Sequence, residues 1–111
     1  MSRVFSRRLL LERAERQPDG AGGYARMWSV LGAIWAEVRM RSGDLRDTEF
    51  GETPRLKLRI TTPAMPEGHA MRPRVGDRLR DGERLYEVSA VHESDGIGRT
   101  LVLLASEEVG E

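Results

Sequence analysis

The sequence predicts an all-β domain, a small β-barrel or sandwich with long loops and at most one short helix. Three observations lead there. Glycine and proline recur in clusters that cut the chain into short segments, at Pro18 to Gly23, Gly51 to Pro54, Pro63 to Gly68, Pro73 to Gly76, Asp81-Gly82 and Asp95 to Gly98. Between them, Leu56, Leu58 and Ile60 alternate with Arg55, Lys57, Arg59 and Thr61, the period of a strand with one face buried. Asp81-Gly82 lies between two further apolar segments and has the composition of a tight hairpin turn.

Taken in order, Phe5 to Arg16 is open at this level. Its Glu and Arg content suits a helix, while its place ahead of a glycine turn suits a first strand. Tyr24 to Val30 reads as a strand, with a bend or bulge expected near Gly32. Ile34 to Arg41 alternates: Ile34, Ala36, Val38 and Met40 share one face, and Trp35, Glu37, Arg39 and Arg41 share the other. Trp35 is then a large apolar group on a polar face, either a second contact surface or a cap on the end of a barrel. Ser42 to Phe50 is the one place for a helix, with Ser42 as its cap and Asp44 near the positive end of the dipole.

Arg55 to Thr61 is the cleanest strand. Gly76 to Leu79 and Arg84 to His92 flank the Asp81-Gly82 turn in two competing registers. A three-residue loop over Asp81 to Glu83 sets Leu79 opposite Leu85, whereas a two-residue loop pairs Arg80 with Glu83. Arg99 to Ala105 closes the set, and Leu101 to Leu104 reads as a strand buried on both faces. Residues 1–106 are expected to form one domain, with Glu107 to Glu111 as a frayed tail.

Bulk composition narrows the function classes. A chain of 111 residues with 18 basic and 18 acidic side chains has no global positive field to mark a nucleic-acid binder. Lys57 is its single lysine, and arginine favours bidentate carboxylate or phosphate partners. With no cysteine, disulfides, thiolate nucleophiles and thiolate zinc sites are excluded. No run approaches the roughly 18 apolar residues that cross a bilayer, so a soluble, cytosolic protein without a membrane partner is expected. At 39% hydrophobic and 32% charged, the core is lean, and assembly with neighbours would reinforce it.

The motifs that carry chemistry are thin. Gly20-Ala21-Gly22-Gly23-Tyr24-Ala25 matches a dinucleotide fingerprint, but a strand follows it and the chain is too short for a parallel crossover fold; a hairpin loop explains it. His69 and His92 have no second histidine at ligand spacing, so no metal site and no cofactor is expected. Asp44/Asp47 and Glu107/Glu108 are paired carboxylates without an organised cleft to split their pKa values. No nucleophile elbow or triad is present. The basic features say more: Arg55, Lys57 and Arg59 form one stripe, Arg39 and Arg41 another, and Arg72 and Arg74 punctuate a proline-bearing loop. On one chain these are solvated faces; repeated around a ring they would form a positive annulus able to hold duplex DNA by its phosphates.

The order of segments is also familiar. Arg8 to Arg13 (Arg-Leu-Leu-Leu-Glu-Arg) precedes a glycine turn, then come Trp28, Ile34-Trp35-Ala36-Glu37-Val38, a Ser42-Gly43 break, Leu56 to Ile60, Gly76-Asp77-Arg78-Leu79, Leu85-Tyr86-Glu87-Val88 and Leu101 to Leu104. Over about residues 4 to 105 this resembles the phage head–tail joining family, the head closure or stopper proteins of tailed phages, prophages and gene transfer agents. The Met65 to Pro73 loop is longer than that family's pattern.

The resemblance implies a twelve-fold ring in the neck of a phage-like particle, assembled in the bacterial cytoplasm. Its partners would be the portal and adaptor on the head side, the tail terminator and tail tube on the other, and packaged double-stranded DNA in the channel. The loop from Ser42 to Pro54, with Gly43, Asp44, Arg46, Asp47, Glu49 and Gly51, is then the candidate gate. Arg55, Lys57, Arg59, Arg72 and Arg74 are candidates for contact with DNA or an acidic neighbour, and Trp28, Trp35 and Tyr86 for core or subunit contact. A tail terminator or minor tail ring subunit is the nearest alternative. A single-stranded nucleic-acid binder of small-barrel type would need aromatic platforms gathered on one sheet face.

Overall fold

The computed structural model describes the backbone of residues 5–48, 51–93 and 99–108, and side chains of residues 5–41, 56–93 and 99–107. Six strands run β1 (Arg7–Pro18), β2 (Tyr24–Thr48), β3 (Gly51–Pro63), β4 (Arg78–Asp81), β5 (Arg84–Glu93) and β6 (Thr100–Glu108). They close into an antiparallel barrel in the order β1-β2-β3-β6-β5-β4. Among the described residues no helix is long and apolar enough to cross a membrane.

Alternation builds the core. Leu9 and Leu11 of β1, Ile34 and Ala36 of β2, Leu58 and Ile60 of β3, Leu79 of β4, Tyr86 and Val88 of β5, and Leu101, Leu103 and Ala105 of β6 meet inside the barrel. Every strand thus gives alternate residues to one interior. Leu101, Val102 and Leu103 are all fully buried, so β6 is covered on both faces at its centre.

At 25 residues β2 would span about 80 Å if straight, since a strand rises about 3.3 Å per residue. The molecule's longest extent is 51 Å, so β2 must bend. It does so at two bulges. Leu11 faces Gly32 but Glu12 faces Val30, which leaves Leu31 extra; Met40 faces Leu58 but Ser42 faces Lys57, which leaves Arg41 extra. The bend expected near Gly32 is the first of these. Its extra residue also flips the alternation, which puts Trp28 and Trp35 on the same outer side although seven positions separate them.

Several expectations need correction. The segment left open from Phe5 to Arg16 is strand from Arg7 onward, with β1 pairing β2 across the glycine turn from Pro18 opposite Tyr24. The helix considered at Ser42 to Phe50 is instead strand to Thr48, with Phe50 outside the described residues. Neither register considered for the β4–β5 hairpin is adopted: Asp81 pairs with Arg84, and Leu79 faces Tyr86. The loop is Gly82-Glu83, one residue later than the two-residue alternative, and Gly82 at φ 64° supplies the positive dihedral its first position requires. β6 continues through Glu107 and Glu108, so fraying does not begin at Glu107; residues 109–111 lie outside the described set.

Candidate functional site

Two hairpin arms leave the barrel because their flanking strands are shorter. On β1, only Leu10 to Glu12 find partners in β4, so the β1–β2 ladder continues alone from Arg13 to Pro18 and from Tyr24 to Ser29. On the far side of β2, the β1 ladder stops at Arg7 opposite Ala36, and among the described residues β6 pairs with β3 as far as Arg55, opposite Glu108. The β2–β3 ladder continues beyond that to Thr48 opposite Gly51.

The first arm is dressed with stacked side chains. Arg16 lies 4.4 Å over the Tyr24 ring, and Arg26 lies 4.5 Å over Trp28. Arg78 of β4 also covers Trp28 at 4.1 Å, and its Nε donates to Glu12 Oε1 at 2.5 Å. Arg80 Nε donates to the other oxygen of Glu12 at 2.8 Å. Glu12 is only 3% exposed. Burial alone would raise its carboxyl, but the hydrogen bonds from Arg80 and Arg78 and their charges outweigh it and hold Glu12 below the ordinary carboxylate range. At the tip, Asp19 Oδ1 accepts from the backbone N–H groups of Ala21 and Gly23, which lowers the Asp19 carboxyl.

The opposite side of the arm's root is locked to the connection between β3 and β4. Arg13 makes a fork to Asp77 at 3.0 and 2.8 Å and also donates to the carbonyls of Ala70 and Arg72. Asp77 is 3% exposed and accepts from the Arg74 N–H. Met65 and Met71 of this connection pack against the core, and a Cβ at Gly32 would stand 3.0 Å from Met71 Cε. The Met65 to Pro73 segment is therefore a packed cover over one end of the barrel.

The proposed gating residues Gly43, Asp44, Arg46, Asp47 and Gly51 lie in the second arm as paired strand and not as an irregular loop; Glu49 lies outside the described residues. The two basic stripes come together. Arg39 of β2 faces Arg59 of β3, Ser42 faces Lys57 and Asp44 faces Arg55. Arg39 and Arg59 are exposed, with Glu37 Oε1 3.4 Å from the Arg39 Nε. Arg72 is committed to the Met65 carbonyl at 2.6 Å, while Arg74 is exposed in the same connection. Tyr86 is buried at 1% exposure, Trp28 is half-buried between its arginines, and Trp35 is 53% exposed. Within a single chain Trp35 is thus a surface group, so neither a core place nor a barrel-end cap describes it.

Sequence reasoning passed over Arg16, Arg26, Glu12, Arg13, Arg78 and Arg80. One signal was available for the first two. Folding the chain about Ala21 places Arg16 opposite Arg26, which is their register in the arm. Glu12 and Arg13 gave no local signal, because their partners are 64 to 68 positions away. Among the described residues no group of three or more His, Cys, Asp or Glu side chains is placed to hold a metal ion.

A model of the phage head completion protein family matches residues 2–108. Among solved structures, a chain from the virion of a native gene transfer agent particle matches with a TM-score of 0.86 and 41% identity, over 97% of this chain and 98% of that one. No curated protein matches.

Proposed function

Because the chain belongs to the phage head completion protein family, we propose that it acts as the head closure, or stopper, subunit: one member of a ring between portal–adaptor and tail. Family membership supports a structural component of a phage-type particle. The ring, a dodecamer in this reading, retains packaged DNA and offers the tail its docking surface. The matched chain of the gene transfer agent virion supports a place in such a particle.

The observation that carries the gating role is the second arm. Past Arg55, the partner of Glu108 at the end of the described part of β6, its two strands continue as a paired ladder that in this reading reaches into a channel. The paired Arg39 and Arg59 on the same ladder would face acidic neighbours or DNA phosphates when repeated around the ring. Trp35, exposed on the adjoining wall, is the candidate subunit contact. Deleting residues 44–52 is expected to give assembled heads that lose their DNA before tails attach. Stable, full heads from that deletion would refute the gate, and neck images lacking this subunit would move it to a tail terminator or minor tail ring.

A further inference from the structure

We propose that the tip of the first arm of one copy docks in the groove at the root of the first arm of the next copy, a basic and aromatic knob in an acidic and aromatic socket. The inference rests on the ring reading above and assigns the contact that closes it.

The knob is Arg16, Arg26 and Tyr24. Arg16 and Arg26 are direct cross-strand partners, and like charges so placed weaken an isolated ladder. Among the described residues neither has a carboxylate partner; each lies on a ring instead. A stacked guanidinium keeps its in-plane N–H groups available for a carboxylate. Beside them Tyr24 is 62% exposed.

The socket is a groove of about 400 Å³ lined by Trp28, Leu85 and Tyr86 together with three glutamates and two arginines, Arg84 and the Arg78 that is already bound to Glu12. Its carboxylates fall into two kinds. Glu107 is held in a fork by Arg84 at 2.9 and 2.7 Å. Glu83 and Glu87 are exposed and have no ion pair among the described residues. The groove therefore offers two unneutralised carboxylates beside apolar surface, and the tip offers two unneutralised guanidiniums beside apolar surface.

Arg26 rests over its own Trp28 at the edge of the groove, but among the described residues neither Arg16 nor Arg26 pairs with Glu83 or Glu87 of the same chain. Tyr24 stands four residues beyond Trp28 on a continuous strand, about 13 Å further out by strand rise. The occupant is thus another copy. A contact between two different patches of one chain repeats head to tail, which generates a ring when the rotation closes. A protein occupant also fits better than DNA. Phosphates give no return on the exposed Tyr24, whereas Tyr, Trp and Arg together are the residues that dominate protein interfaces.

The chain has no cysteine, so Tyr24→Cys with Glu87→Cys introduces the only thiols. Oxidised phage-type particles carrying this variant are expected to yield a ladder of cross-linked multimers on a non-reducing gel, with no ladder from either single change. A monomer band alone, from particles that contain the chain, overturns the contact and leaves the ring reading standing. Absence of the wild-type chain from purified particles overturns both. Separately, Arg16→Glu with Arg26→Glu should cut incorporation into particles about tenfold, as should Glu83→Arg with Glu87→Arg, and the four changes together should restore most of it. No recovery, or salt-sensitive duplex binding lost with the two arginines while cross-links are absent, would transfer the tip to another partner and overturn the proposal.

Discussion

The two arms are both two-stranded ribbons, yet they are held in different ways. The first is fastened at its root on both sides. On its outer side Glu12 takes hydrogen bonds from Arg78 and Arg80, and on the other Arg13 grips Asp77. The second arm leaves the barrel past Arg55 on backbone pairing with its own partner strand. An isolated two-stranded ribbon is marginal in water, so its register beyond the barrel depends on what it meets. The first arm is thus clamped by side chains at its root, whereas the second extends past the Arg55–Glu108 pair as a two-stranded ladder. That contrast would suit the proposed role, in which one subunit both locks to its neighbours and closes a channel.

The largest expected effect lies at the root of the first arm. Glu12→Ala leaves two arginines around an empty site, and losing one partner of a buried ion pair costs about 3–5 kcal/mol. Arg78 and Arg80 keep 21% and 36% of their side chains exposed, so solvent will soften that loss to about 2–3 kcal/mol. Urea unfolding should show it as a lower midpoint. The same site predicts acid sensitivity. Since the folded state holds the Glu12 carboxyl below the ordinary glutamate value, its contribution is complete above that ordinary value and disappears as pH falls through the folded value. Glu12→Gln should flatten the fall of melting temperature with acid. An unchanged acid profile would break the idea that this carboxylate fastens the arm.

The second clamp should weigh somewhat less. Arg13→Ala removes the fork to Asp77 and two further hydrogen bonds to the β3–β4 connection, leaving a carboxylate that is 4% exposed. A loss of about 2 kcal/mol follows from an unpaired buried group. Hydrogen exchange should rise first in residues 64–77, ahead of β6. Uniform acceleration across the barrel would mean that the cover and the core unfold as one, and the two clamps would then not be separable.

Legibility in the sequence followed the reach of the forces involved. Strand periodicity is local, so Leu56, Leu58 and Ile60, and Ile34 and Ala36, revealed their inward faces directly. The glycine turn and the Asp81-Gly82 turn were equally plain, although the second hairpin's register slid by one residue because the strand pairing, not the turn dipeptide, set it. The second arm misled for a physical reason. Ser42, Gly43, Gly51 and Pro54 are residues of loops, but a ribbon needs only paired backbones and no buried face. The bulge at Leu31 lies where a bend or bulge was expected, near Gly32, but its effect on Trp28 was not anticipated, because one extra residue reverses the alternation beyond it. The ion pairs that fasten the first arm lie beyond any local pattern.

The smallest expected effect is at the first arm's tip, and it tests whether the clamping at the root extends that far. Asp19 Oδ1 accepts from Ala21 at 2.8 Å and from Gly23 at 3.1 Å, while the Asp19 N–H donates to the Gly23 carbonyl at 3.1 Å. The side chain therefore ties the five-residue turn to itself, as aspartate does in tight turns. Asp19→Ala should leave the global unfolding midpoint unchanged, because the tip is exposed and far from the core. It should still speed amide exchange at Ala21 and Gly23 above that of Arg26 and Trp28, which the ladder holds. If exchange at Ala21 and Gly23 is already as fast in the wild type, the tip is no more fixed than the second arm. The contrast between a clamped arm and a two-stranded ladder would then stop at the root, where Glu12 and Arg13 sit.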